Sequence, residues 1–293
     1  MRRREFVAGE ATAALLSGIP SWASDLKQFK LGVITDAVTQ DFEKALLWAK
    51  GCGLGWVELR FVWNKYVTDF TADDVTRAKE LLAKHSIKVS VVDSAYFKML
   101  LPGTQSKFGE GKSRSAAERF IGAGRDPGAG HSPGKGLWNG QRCASSPSSA
   151  WPARTPCSTV SRENWKERPR SPSAKGAAML KAVTSPSLGL NCDPGNAFAT
   201  GETPYPNGYD ALDKKRMWHM HWKDAAPASK GEEAKWMPIG GGKIDFLGRF
   251  RALVKSGYEG TMSLETHYLN AAKNKDASSR ELMDGLLKVI REA

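Results

Sequence analysis

The stretch RMWHMHWKDA, Arg216–Ala225, decides how this chain reads. Only five histidines occur in 293 residues, and two of them stand here two positions apart among bulky apolar side chains. Such alternation belongs to a strand, whose successive side chains point to opposite faces. Met217, His219, His221 and Lys223 then share one face. Trp218, Met220 and Trp222 take the other, which needs a covering layer of helices.

The neighbouring text supplies such layers. FKLGVIT (29–35), GWVELR (55–60) and IKVSVVD (87–93) are short apolar runs that read as buried strands. Between them, DFEKALLWAKGCG places Phe42, Ala45, Leu46 and Ala49 on one helical face. TADDVTRAKELLAKHS opens with Thr71 and Asp74 at capping-box spacing and carries Val75, Ala78, Leu81 and Leu82 as its buried stripe. Strand, helix, strand, helix, strand implies a parallel sheet with right-handed crossovers. The rhythm returns late in the chain. GAAMLKAV ends a helix, SLGLNCD is a strand, GYDALDKK a short helix and RMWHMHWKD a strand. DFLGRFRALVKSGY is a helix, GTMSLE a strand, and SSRELMDGLLKVIREA the closing helix.

Between the two regular parts, residues 105–175 are rich in Ser, Pro, Gly and Arg and show neither strand nor helix patterns. A structureless loop of this length is foreign to a compact domain. It is either a disordered insertion or a stretch translated out of frame, with the frame restored near Ala174. The second reading is favoured because the expected elements are missing rather than displaced. Three strands before the gap and three after, with two units lost between them, make an interrupted (β/α)8 TIM barrel spanning 24–293.

The formal net charge of +12 suggests nucleic acid at first. Thirteen Lys/Arg against five Asp/Glu fall within 105–175, however, so most of the excess lies outside the regular elements. No nucleic-acid partner is expected. Cys52, Cys143, Cys157 and Cys192 lack C-x-x-C spacing, which argues against a disulfide framework or structural zinc. No apolar run is long enough for a membrane span. MRRREFVAG followed by ATAALLSGIPSWA is expected to be a twin-arginine export signal over 1–23, which places the protein in the periplasm or outside the cell. Glu10 interrupts its apolar stretch, and a basic amphipathic N-terminus is the other reading.

In a barrel, polar residues at the C-terminal ends of strands gather at one rim. His221 and Lys223 belong to that rim and His219 lies one layer deeper. Asp193 ends LGLNCD and Glu265 ends TMSLE, so both are expected to meet His221 there. One imidazole with hard carboxylate oxygens suits Mn²⁺, Mg²⁺, Co²⁺ or Zn²⁺. Taken singly, Asp193 reads equally as a helix N-cap and Glu265 as a solvated charge.

LGVITDAVTQDFEKAL, GWVELR, LGLNCDPGNAFATGETPYP, HMHWKDA, PIGGGKIDF and GYEGTMSLETHY resemble the sugar phosphate isomerase/epimerase family with the xylose isomerase-like TIM barrel. The resemblance covers about residues 28–104 and 176–293. It implies a divalent metal held by Glu, Asp, His and Glu, with Asp193, His221 and Glu265 matching the last three. The first Glu should end the fifth strand, and Glu163 in SRENWKE is the nearest match, although TPCSTVSR before it does not read as a buried strand. The implied chemistry is epimerisation or aldose–ketose isomerisation of a sugar or keto-sugar. Glu265 and the first Glu would move the proton next to the carbonyl, so a chain lacking that Glu would be close to inactive.

Other residues divide between substrate and structure. Asn196 suits a substrate hydroxyl or a turn. Lys223 suits a carbonyl or phosphate oxygen, or an ion pair with Asp224. His219 suits substrate or an orienting hydrogen bond, His267 substrate or a cap, and Glu58 substrate or an ion pair with Arg60. Gly240, Gly241 and Gly242 suit an anion-binding loop or plain flexibility. Two other readings stand beside the isomerase: a non-catalytic exported sugar-binding barrel, and a metal hydrolase of the abasic-site endonuclease kind, which would need more rim histidines than this chain offers. An oligomer is compatible with all three.

Overall fold

The computed structural model describes residues 29–93, 155–158, 172–184, 188–227 and 234–293. The expected export signal, Glu163 and most of 105–175 lie outside them. Among the described residues no helix is long and apolar enough to cross a membrane. Cys52 and Cys192, the cysteines whose side chains are described, are free thiols.

Seven parallel strands form the main sheet: β1 (Lys30–Ile34), β2 (Trp56–Leu59), β3 (Lys88–Val92), β4 (Thr155–Ser158), β5 (Leu188–Cys192), β6 (Met217–Trp222) and β7 (Thr261–Leu264). Their order in the sheet is β3-β2-β1-β7-β6-β5-β4. The first and last regular strands of the chain, β1 and β7, are therefore neighbours, with Lys30 level with Thr261 and Val33 with Leu264. This is the closure of a barrel. Its seam stays open between β3 and β4 among the described residues.

Among the described residues, besides the one-turn helix Thr35–Val38, six helices run between or after these strands: α1 (Phe42–Gly51), α2 (Ala72–His85), α3 (Pro172–Ala182), α4 (Pro194–Ala199), α5 (Phe246–Lys255) and α6 (Lys275–Glu292). The amphipathic readings hold for α1 and α2. Phe42, Ala45, Leu46 and Ala49 are buried on α1, and Val75, Ala78 and Leu82 on α2. The outward face of β6 behaves as alternation requires. The Trp222 indole is fully buried and stacks on the Phe250 ring of α5, with centroids 4.2 Å apart. Trp218 lies over Gly189 of β5, where any Cβ would collide with the indole.

Three elements differ from expectation. Thr155–Ser158 is a strand, paired parallel with Leu188–Asn191 of β5, although its sequence shows no strand pattern. Among the described residues it is an edge strand, a position where Pro156, which has no N–H to donate, is tolerated. The pairing comes from its neighbour's backbone, which local propensity does not report. Helix α3 likewise starts at Pro172, inside the anomalous segment. GYDALDKK is not one helix. A π-type turn at Pro204–Gly208 and a 3₁₀ turn at Lys214–Arg216 flank it.

The capping box of α2 is present in both directions. Thr71 Oγ1 accepts from the Asp74 amide (3.2 Å), and Asp74 Oδ2 accepts from the Thr71 amide (2.9 Å). The Thr71 amide and the Lys65 ammonium hold the Asp74 carboxyl down at about 2, against an ordinary 3.8. An acid depressed in the folded state adds stability above its unfolded pKa and loses it as pH falls through the folded one. Asp74→Ala is expected to cost about 1 kcal/mol at pH 7. Urea unfolding should show that difference intact above pH 4 and shrinking as the pH approaches 2.

Candidate metal centre

The sheet curls enough to bring distant strands into contact. Neighbouring strands lie about 4.8 Å apart, so β2 and β6, three steps apart in the order, would be separated by about 14 Å if the sheet were flat. Glu58 of β2 nevertheless lies 3.1 Å from His221 of β6, oxygen to Nε2. Side chains on the concave face therefore converge, which is the geometry a rim site needs.

Asp193, His221 and Glu265 are among those that meet. One ligand atom from each lies within 4.8 Å of the others. His221 Nδ1 is 3.2 Å from Glu265 Oε2 and 3.5 Å from Asp193 Oδ2. Asp193 is also the N-cap of α4: its Oδ1 accepts from the Asn196 amide at 2.8 Å. Cap and rim carboxylate are thus one residue, because the short β5–α4 turn leaves the second oxygen facing inward.

Lys223 does not pair with Asp224. Its ammonium is 1% exposed, donates to Asp193 Oδ2 at 2.7 Å and rests on Glu265 Oε2. Asp224 turns the other way. Its carboxylate accepts from the amides of Ala225 (2.7 Å), Gly240 (3.0 Å), Gly242 (2.9 Å) and Ile244 (3.4 Å). Two of the three glycines read as an anion loop thus already bind an anion, the chain's own. A Cβ at Gly242 would collide with that carboxylate, which explains a glycine there. Burial lifts the Asp224 carboxyl above its usual value, against these backbone donors. Asp224→Ala would leave buried amides unpaired, at about 1–3 kcal/mol each for those fully desolvated. An overall loss of about 2–4 kcal/mol in urea unfolding is the expected result.

Glu58 does not pair with Arg60 either. It is 1% exposed and accepts from His219 Nε2 (2.9 Å) and His221 Nε2 (3.1 Å). Arg60 instead clamps Asp36, through Nη2 at 2.8 Å, and Glu265, through Nη1 at 3.1 Å. Arg60 and Asp36 were missed in the sequence. Arg60 directly follows β2 and Asp36 stands two residues after β1, in the short helical turn Thr35–Val38, and the strand-end argument applied to all strands would have found them. His267 donates to Glu265 Oε1 (3.1 Å) and packs its ring edge against Trp236 (4.8 Å). Asn196 gives its side-chain amide to Asp193 Oδ2 at 2.6 Å. The ring of His219 is fully buried, one layer below His221.

The electrostatics follow from this packing. Burial works against every charge here, and partners outweigh it for most. Lys223 and His221 hold the Glu265 carboxyl well below the usual range despite its burial. Burial is likewise overcome at Asp193, chiefly by Lys223, and at Glu58, chiefly by His221 and His219. Burial opposes the His221 imidazolium, yet Glu58 and Glu265 hold its pKa well above the ordinary value. His219 goes the other way because its burial outweighs Glu58. The four carboxylates Asp36, Glu58, Asp193 and Glu265 outnumber the permanent cations Arg60 and Lys223 bonded to them. This excess of negative charge, with one imidazole and two carboxylates converging, fits a divalent ion.

Residues 159–289 match the family described as the xylose isomerase-like TIM barrel. The fold is that of this family. The chain also resembles solved structures. A xylose isomerase domain protein from Alicyclobacillus acidocaldarius is 15% identical, with a TM-score of 0.58, covering 90% of this chain and 99% of that one. The IOLI protein with a bound zinc atom is 13% identical, with a TM-score of 0.56 and the same coverage. A xylose isomerase-like TIM barrel protein from Mycobacterium smegmatis in complex with magnesium is 15% identical, with a TM-score of 0.52, covering 85% and 89%. At these identities the likeness is one of fold. No curated protein matches the chain.

Proposed function

We propose that this xylose isomerase-like barrel is a divalent-metal-dependent isomerase or epimerase of a sugar or keto-sugar, moving a proton next to a carbonyl. The observation that carries the reading is the convergence of Asp193, His221 and Glu265 from three separate strand ends. Structures of the same fold hold zinc or magnesium, which supports a metal of that kind here. Asp193, His221 and Glu265 would hold the ion, which supplies Lewis-acid polarisation of a carbonyl and its neighbouring hydroxyl. Glu163, the fourth ligand expected from the resemblance, lies outside the described residues.

The chain's own groups divide the remaining work. Glu265 is the acid/base, and Arg60 and His267 hold its Oε1 so that Oε2 faces Lys223 and His221. A carboxylate held this acidic is a weak base while Lys223 stays on it. When the Lys223 ammonium turns to a substrate oxygen, Oε2 regains basicity just as substrate arrives. Asn196 braces Asp193 Oδ2, the oxygen that also accepts from Lys223.

Metal analysis of the purified protein, combined with solvent deuterium exchange into phosphorylated and unphosphorylated keto-pentoses and keto-hexoses, tests the reading. Bound metal with exchange at the carbon next to the carbonyl is expected. Sugar binding without exchange would favour a binding module, and neither metal nor exchange would sink the proposal.

A further inference from the structure

Glu58 is buried, and its partner is not Arg60. Its carboxylate instead joins two imidazoles. His219 Nε2 lies 2.9 Å from Oε2, and His221 Nε2 lies 3.1 Å from Oε2 and 3.2 Å from Oε1. A carboxylate accepts hydrogen bonds and cannot donate them. Each of these Nε2 atoms must therefore carry the hydrogen. For a neutral His221, which has one N–H, the lone pair then sits on Nδ1, the atom that faces Asp193 and Glu265.

The surroundings brace the same arrangement. Thr261 is level with His219 in the sheet, and its hydroxyl lies 2.6 Å from His219 Nδ1, where it can donate only if that nitrogen is bare. Asn191 places its side-chain nitrogen 3.1 Å from His221 Nε2, while its Oδ1 is buried without a partner. If Nε2 carries the hydrogen, the amide must be turned over so that its oxygen faces the ring, since amide orientation is assigned from the surrounding network.

We infer that Glu58 is a positioning residue: by accepting Nε2–H of His221 it fixes the tautomer and ring plane that aim Nδ1 at a cation shared with Asp193 and Glu265. His219 and Thr261 hold Glu58 in turn. The inference rests on the metal reading above and adds to it a group that acts through His221. Carboxylates behind ligating imidazoles typically change metal affinity by about 10–100-fold.

The test uses full-length protein with ¹⁵N-labelled histidine, Zn²⁺ as the probe, and a chromophoric chelator as competitor. Wild-type protein should show His221 bonded to zinc through Nδ1 with Nε2 protonated. His219 should be the Nε2–H tautomer with or without zinc. Glu58→Gln should bind Zn²⁺ about 10–100-fold more weakly and show a mixed His219 tautomer, with thermal unfolding as the check on folding. Should Glu58→Gln fail to fold, Thr261→Val carries the same test one link further out, with a mixed His219 tautomer and a smaller loss of affinity. Unchanged zinc affinity in the variant that folds overturns the inference. So does zinc bound through His221 Nε2, which would place the ion between Glu58, His219 and His221 instead. Zinc on Nδ1 with no substrate exchange sinks the isomerase reading alone. Wild-type His221 that takes no zinc overturns both.

Discussion

Glu265→Gln is expected to abolish proton exchange, by a factor of at least about 10²–10⁴, and to strip the protein of metal. The substitution keeps the shape of the side chain and changes only its charge and acceptor count. In the folded protein both oxygens of Glu265 face donors: Arg60 and His267 on Oε1, Lys223 on Oε2. A carboxamide has one acceptor oxygen, so whichever way it turns its NH₂ group points at donors. On the proposed reading the variant would lose a ligand and a base together with part of its local order. Deuterium exchange into the keto-sugar and metal content by mass spectrometry are the measurements. Exchange within tenfold of wild type would remove Glu265 from the chemistry.

Lys223→Met should give the largest change in stability. Its ammonium neutralises Asp193 and Glu265 from a fully buried position, and its stem runs against Gly195, where any Cβ would collide with it. Removing one partner of a buried ion pair costs about 3–5 kcal/mol, because the other charge is left uncompensated. A divalent ion bound by the same two carboxylates supplies the missing charge. Melting temperatures in chelator and in excess Zn²⁺ should therefore lie further apart for Lys223→Met than for wild type. If the variant melts like wild type in chelator, the two carboxylates are not the buried anions described here.

Much of the arrangement was legible from local pattern. Period two in RMWHMHW separates the indoles from the imidazoles whatever the fold, and Trp222 against Phe250 is its direct result. Helical spacing marked the buried faces of α1 and α2, and Thr71 with Asp74 announced the start of α2 because a capping box is closed within four residues. Asp193 and Glu265 stood out as carboxylates ending apolar runs. Strand β4 was not legible. Four residues containing a proline carry no strand signal, and the pairing with β5 supplies what propensity lacks.

The partners at the rim are a different matter. Lys223 and Glu58 each stand near an oppositely charged residue in the chain, and neither pairs with it. Side chains one or two positions apart on a strand point to opposite faces or to different depths, so adjacency in sequence says little about contact. Arg60 reaches Glu265 across 205 positions, and Glu58 reaches His221 across 163, because the sheet curls. From residues 29–93 and 176–293 alone follow the layers, the inward face of each strand and the residue types at its end. Which carboxylate meets which cation or imidazole was decided only when the curled sheet brought those strand ends within hydrogen-bonding distance in a buried place where no charge can stay unpaired.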